Sequence, residues 1–153
     1  MKKKISKYIY FALCFILFIS SALYFSDLLM ENLLNGMNYS NEIFSLNYVE
    51  NTGAAFSILK DSREILIIVS VVAICAIVSY FIRHTKDLSM IEIFFMAMLS
   101  AGIGGNLHER IAYGFVRDYF QLSFINFPIF NISDIMINIG VAAIILLLLK
   151  KKL

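Results

Sequence analysis

Charge is scarce in this chain, and so are cysteine, histidine and proline. Of 153 residues only 16% are charged, and there are two cysteines, two histidines and one proline. So little charge beside 60% hydrophobic residues and a mean hydropathy of +0.80 excludes an ordinary soluble domain, whose core could not hide that much apolar surface. Cys14 and Cys75 each lie inside an apolar run. They give neither a disulfide framework nor metal-ligand spacing, and read as small hydrophobes. There is no His-Glu-x-x-His zinc motif, and His84 and His108 fall on opposite sides of the apolar serpentine. A glycine-rich phosphate loop and a basic face are missing too, which argues against nucleotide and nucleic-acid partners. No linker, repeat or low-complexity tract divides the chain, so residues 1–153 read as one domain.

What the chain does have is long hydrophobic runs. Tyr8 to Ser26, Ile65 to Ile82, about Leu88 to Leu107, and Ile135 to Leu149 are each apolar. About 20 such residues cross the ~30 Å hydrocarbon layer as a helix, and the expected spans are 8–26, 65–82, 88–107 and 132–149. Lys2, Lys3, Lys4 and Lys7 precede the first run, Arg83 and Lys86 separate the second from the third, and Lys150, Lys151 and Lys152 close the chain. These nine of the thirteen Lys and Arg residues all fall on one side of a four-span plan. By the positive-inside rule both termini are expected in the cytoplasm, and segments 27–64 and 108–134 outside. The first run is long for a signal-peptide core, and losing it would put the two basic ends on opposite faces. It is therefore expected to be kept as a span.

The outer segments carry strand composition. Ile43 to Val49 is rich in aromatic and β-branched residues, and Asn51 and Gly53 after it argue for a turn. Phe115 to Ile125 alternates weakly and is closed by Pro128. A sheet edge cannot face lipid, so these strands are expected to pair outside the membrane, resting on the helix ends. In the third run Ala97, Ala101 and Gly105 recur at four-residue spacing, with Gly102 and Gly104 interleaved. Small residues at that spacing let helix backbones approach closely.

Two acids stand apart: Asp118 at the start of the second strand region and Asp134 at the start of the last span. Two carboxyls converging on one water can share a proton and activate that water, as in an aspartic protease. The plainer alternatives are an N-cap for Asp134 and a solvated strand residue paired with Arg117 for Asp118. A Ser–Lys pair would need Ser57 with Lys60, and nothing in the surrounding sequence suggests burial of that pair.

The order of Asn51-Thr52-Gly53-Ala54-Ala55-Phe56, then Gly102-Ile103-Gly104-Gly105-Asn106 with Arg110, Gly114, Val116 and Asp118, then Phe130-Asn131-Ile132-Ser133-Asp134, resembles the lipoprotein signal peptidase family, signal peptidase II. The resemblance covers essentially the whole chain. It implies a fold of four transmembrane helices with an extracytoplasmic β-cradle. It also implies an aspartic endopeptidase that removes signal peptides from diacylglyceryl-modified prolipoproteins, cutting before the lipidated cysteine. Asp118 and Asp134 take the catalytic positions, and Asn51, Gly102, Asn106, Arg110 and Asn131 match residues lining the family's site. No cofactor or metal is implied, and the expected partners are lipidated prolipoproteins and membrane lipid, with the enzyme acting as a monomer.

Departures from the family pattern cluster near the outer ends of the first and third spans. Asp27-Leu28-Leu29-Met30-Glu31 stands where the family reads Asp-Gln-x-x-Lys, His108-Glu109-Arg110 where Asp-Arg is usual, and Ser133 where Ala is usual. Glu31 and Glu109 raise the alternative of a non-catalytic or specialised paralogue that binds lipoprotein precursors. A transporter would want its acids near mid-bilayer, and here they gather at helix ends.

Overall fold

A computed structural model describes residues 6–53 and 59–151. Ala54, Ala55, Phe56 and Ser57 between the first two helices, and Lys2, Lys3, Lys4 and Lys152, lie outside the described residues. The element order is α1 (Lys7–Leu34), β1 (Phe44–Asn51), α2 (Arg63–His84), α3 (Met90–Tyr113), β2 (Val116–Leu122) and α4 (Ile132–Lys151). All four helices are long and apolar enough to cross a membrane, and β1 and β2 form a two-stranded antiparallel sheet.

Helix α3 is the axis of the bundle. It packs against α1, α2 and α4, and 56% of its apolar stretch is buried, against 11% for each of the others. The small residues predicted to allow this do so. Ala97 and Ala101 are fully buried. A Cβ on Gly102 would stand 2.7 Å from the Ser133 carbonyl oxygen of α4, and one on Gly104 would stand 3.1 Å from Ile19 of α1. The remaining faces of α1, α2 and α4 expose Leu17, Ile68, Val72 and Leu146, as hydrocarbon-facing helices must.

Helix ends follow the local chemistry. Ser89 accepts from the Glu92 amide while the Glu92 carboxylate accepts from the Ser89 amide, a reciprocal cap at the start of α3. Gly114 ends α3 with φ +91°, a left-handed turn that favours glycine. Lys7 donates to the carbonyls of Thr85, Lys86 and Leu88, and Lys151 pairs with Glu92 at 2.6 Å. The N-terminal end of α1, the α2–α3 turn and the C-terminal end of α4 therefore share one end of the bundle. The sheet stands at the other.

Differences from the sequence reading lie at element edges. Helix α1 continues past Ser26 to Leu34, and β1 starts at Phe44 and runs on to Asn51, which the sequence placed in a turn. The second strand is shorter than Phe115 to Ile125 and stops at Leu122. Phe130 then folds back to bridge Phe120, its amide donating at 3.0 Å to the Phe120 carbonyl. The sheet also carries a bulge: Leu46 faces Phe120 and Val49 faces Asp118, so Asn47 and Tyr48 together oppose Tyr119. Alternation alone cannot reveal an inserted residue.

The α3–α4 contact is tested at Gly140, where a Cβ would lie 2.9 Å from Leu99 Cβ and 3.1 Å from Leu99 Cα. Gly140→Ala is expected to cost about 1–3 kcal/mol through overpacking, read as a lower thermal midpoint in detergent. An unchanged midpoint would contradict this packing.

Candidate active site

At the sheet end of the bundle, β2 and the start of α4 bring Asp118 and Asp134 into one hydrogen-bonded cluster. Val49 opposes Asp118 in the ladder, so Asn51, two residues on, is its diagonal neighbour on the same face. The Asn51 side-chain amide donates to Asp118 Oδ2 at 2.9 Å. On the other side, Asn131 Nδ2 donates to Asp118 Oδ1 at 2.7 Å. The carboxyl is 2% exposed.

Asp134 is tied to the same asparagine. Its Oδ2 accepts from the Asn131 amide at 3.1 Å, and its own amide donates to Asn131 Oδ1 at 3.0 Å. This is a reciprocal cap, with Asn131 as the capping residue and Asp134 as the third residue of α4. The sequence alternative, Asp134 as the N-cap itself, is thus corrected by three positions. Asn106, from α3, donates to Asp134 Oδ1 at 2.8 Å and accepts from Asn131 Nδ2 at 3.2 Å. Among the described residues, then, three asparagines from three elements hold the two acids, and Asn131 touches both.

Arg110 stands behind them. Its Nη2 donates to the Gly53 carbonyl at 2.8 Å and its Nη1 to the Asn106 carbonyl at 3.3 Å. Gly53 in turn donates to Asn51 Oδ1 at 2.9 Å. The guanidinium thereby fixes the turn after β1 that carries Asn51, and its charge favours ionised Asp118. That influence loses. Burial first, and the charge of Asp134 second, push Asp118 up to about 7 against the amides of Asn51 and Asn131. Asp118 is thereby poised to hold or release a proton near neutrality.

Of the sequence-predicted residues, Asp118, Asp134, Asn51, Asn106 and Asn131 are joined by direct side-chain or capping hydrogen bonds, and Arg110 joins them through the Asn106 carbonyl and the Gly53 turn. Gly102 is different: it lines the α3–α4 contact beside Ser133 and Ile137, where its lack of a side chain lets α4 approach. The alternative pairing of Asp118 with Arg117 is not found. Adjacent strand residues point to opposite faces, and Arg117 instead binds Glu109 and Asp27. This also answers the two unusual acids. Glu109 is buried but paired on the far face of β2, and Glu31 is exposed. Sequence reasoning missed Arg63, whose guanidinium donates to the Arg110 carbonyl at 2.9 Å and secures the end of α3. It also missed Tyr119, whose oxygen accepts from the Ile132 amide at 3.2 Å. Among the described residues no group of three or more His, Cys, Asp or Glu converges as a metal site.

A family profile described as Signal peptidase (SPase) II matches residues 7–150. A lipoprotein signal peptidase of Streptococcus pneumoniae is 37% identical over 109 residues, 71% of each chain. One of Clostridium tetani is 34% identical over 113 residues, 72% of each chain. Two solved structures of bacterial membrane enzymes superpose with TM-scores of 0.77 and 0.78 at 28% and 27% identity. The first covers 90% of this chain and 88% of the other, and the second covers 92% of both.

The raised Asp118 value has a consequence for stability. From its ordinary 3.8 up to about 7, the folded protein keeps a proton that the unfolded chain releases, so stability falls as pH rises through that window. Asp118→Asn, which mimics the protonated form, is expected to raise the thermal midpoint at pH 8 and to change it little at pH 4. A midpoint at pH 8 at or below the parent's would contradict the burial cost assigned to Asp118.

Proposed function

The chain belongs to the signal peptidase II family, a family of membrane proteases, and on that premise we propose that it is an aspartic endopeptidase. Its substrates are diacylglyceryl-modified prolipoproteins, from which it removes the signal peptide by cutting before the lipidated cysteine. The observation that carries this reading is the pair of acids bridged by Asn131, one of them poised near neutrality.

The chemistry needs one carboxyl ionised and one protonated, and we assign the proton to Asp118, which is poised near neutrality. A water held between the carboxyls gives a proton to the Asp134 carboxylate as its oxygen attacks the scissile carbonyl carbon. Asp118 gives its proton to the carbonyl oxygen, and a tetrahedral diol forms. Asp134 then passes its proton to the leaving nitrogen as the C–N bond breaks, and one diol hydroxyl returns its proton to Asp118. The products are the signal peptide's new carboxyl end and the free amine of the lipidated cysteine. Asn51, Asn106 and Asn131 keep the carboxyls oriented through this cycle, which is where preorganised donors contribute most.

Topology supports the same reading. The basic end of the bundle, with Lys7, Arg83, Lys86 and Lys151, lies in the cytoplasm by the positive-inside rule, so both termini are cytoplasmic and the dyad lies at the outer face of a bacterial cytoplasmic membrane. Ile43, Phe124 and Ile125 are exposed on the sheet end and suit contact with the outer leaflet. A substrate whose signal helix and acyl chains are both apolar reaches this depth sideways from lipid. The protein acts as a monomer, with no cofactor.

The test is cleavage of a lipidated prolipoprotein by the purified protein in lipid. Asp118→Asn and Asp134→Asn are each expected to lower kcat by about a thousandfold or more, as loss of a group acting in the transition state does. The parent's rate should fall at both low and high pH, because one carboxyl must be ionised and the other protonated. Parental rates in both variants would remove the dyad, and cleavage of only the unlipidated precursor would remove the lipoprotein assignment.

A further inference from the structure

Strand β2 has two polar faces, and the second is outside the chemistry described so far. Opposite Asp118, Arg117 sends Nε to Glu109 Oε2 at 2.7 Å and Nη2 both to Glu109 Oε1 and, at 2.8 Å, to Asp27 Oδ1. Its guanidinium lies 4.3 Å from the centroid of the Tyr113 ring. The arginine's own amide also donates to Glu109 Oε2 at 3.3 Å. One side chain therefore ties β2 to the outer ends of α1 and α3, and Glu109, 4% exposed, has its charge met there.

The cluster does not stop at Glu109. Ser26 Oγ donates to Glu109 Oε1 at 3.3 Å, and Ser26, Glu109 and Tyr119 line one small cavity together with Ile132. Tyr119 is fully buried, burial pushes it up to about 12, and its oxygen accepts from the Ile132 amide. Ile132 is the first residue of α4 and stands between Asn131 and Asp134. The Arg117 face thus grips both supports of the dyad: the peptide just before Asp118, and the first turn of the helix that carries Asp134.

We propose that Arg117 and Tyr119 are positioning residues that hold the two carboxyls in register from behind, Arg117 acting on Asp118 through β2 and Tyr119 acting on Asp134 through the first turn of α4. The inference rests on the dyad reading above. Neither side chain touches substrate on this account. A displacement of about 1 Å in a reacting group is enough to cost up to a hundredfold in rate, so loss of this grip shows in kcat rather than in KM.

Arg117→Lys separates positioning from neutralisation. Lysine keeps the positive charge that buried Glu109 needs but lacks the planar fork that reaches Glu109 and Asp27 together. With lipidated prolipoprotein in lipid, Arg117→Lys is expected to lower kcat about tenfold or more with KM within about twofold of the parent, by the same geometric argument. Tyr119→Phe should do likewise, since only the hydroxyl is lost. Arg117→Met is expected to lose thermal stability as well, and Arg117→Met with Glu109→Gln should recover that stability but not the rate, because the orphaned charge is gone while the grip is not. Parental kcat in both Arg117→Lys and Tyr119→Phe would overturn the proposal. Recovery of rate together with stability in the double variant would overturn it too, reducing Arg117 to a counter-charge. Asp118→Asn, run alongside, distinguishes this failure from failure of the dyad reading, which would show as parental activity in that variant.

Discussion

The two acids depend on a single side chain that can donate and accept at once. Asn131 donates through Nδ2 to Asp118 and accepts through Oδ1 from the first turn of α4, while its backbone amide donates to Asp134. An aspartate side chain there would offer only acceptors and would add a third negative charge, and an alanine would keep only the backbone amide to Asp134, losing the donor to Asp118 and the acceptor at the helix end. Two carboxyls held this close, one fully buried and one half-buried, repel and resist ionisation, so they stay together only where fixed donors meet each of them. Asn131 supplies those donors to both acids and starts α4 in the same stroke.

The rest of the fold delivers Asn131 and its partners to one place. Gly102 and Gly105 let α4 lie close against α3 next to Ser133, which brings Asn106 within reach of Asp134. The sheet brings Asn51 over Asp118, and its bulge opposite Tyr119 adjusts which residues face inward. Strand β2 is then polar on both sides, with Asp118 on one and Arg117 and the Tyr119 hydroxyl on the other. Such a strand is tolerable because both faces are hydrogen-bonded. The opposite end of the bundle is simpler: Lys7 and Lys151 tie the start of α1 and the end of α4 to the α2–α3 region, and a small apolar cluster of Phe81, Leu88, Ile93 and Met96 fills it.

Much of this was legible from residues alone, for identifiable reasons. Runs of apolar residues report spans directly, because lipid admits little else, and the Ala97, Ala101 and Gly105 spacing reported close helix contact because helical periodicity is rigid. Asp118 and Asp134 stood out because acids at the edge of hydrocarbon need a reason. The partners of those acids were less legible. That Asn131 rather than Asp134 caps α4 depends on where the helix starts, a matter of one turn. That Arg117 faces away from Asp118 follows from strand alternation, which puts sequence neighbours on opposite faces and so rules out the pairing of the two. The bulge, the reach of Arg63 to the end of α3, and the path from Glu109 through Ser26 to Tyr119 join residues far apart in sequence. No local pattern carries them.

The central claim is that the acids act as one proton-sharing pair, and infrared titration of the carboxyl stretch in the purified protein tests it most directly. The band assigned to Asp118 by its absence in Asp118→Asn is expected to titrate near pH 7 in the parent, as its raised value of about 7 requires. In Asp134→Asn, where the neighbouring charge is gone, it is expected to move toward lower pH. An Asp118 band that titrates near pH 4 in the parent, or that stays in place when Asp134 is neutralised, would contradict the account.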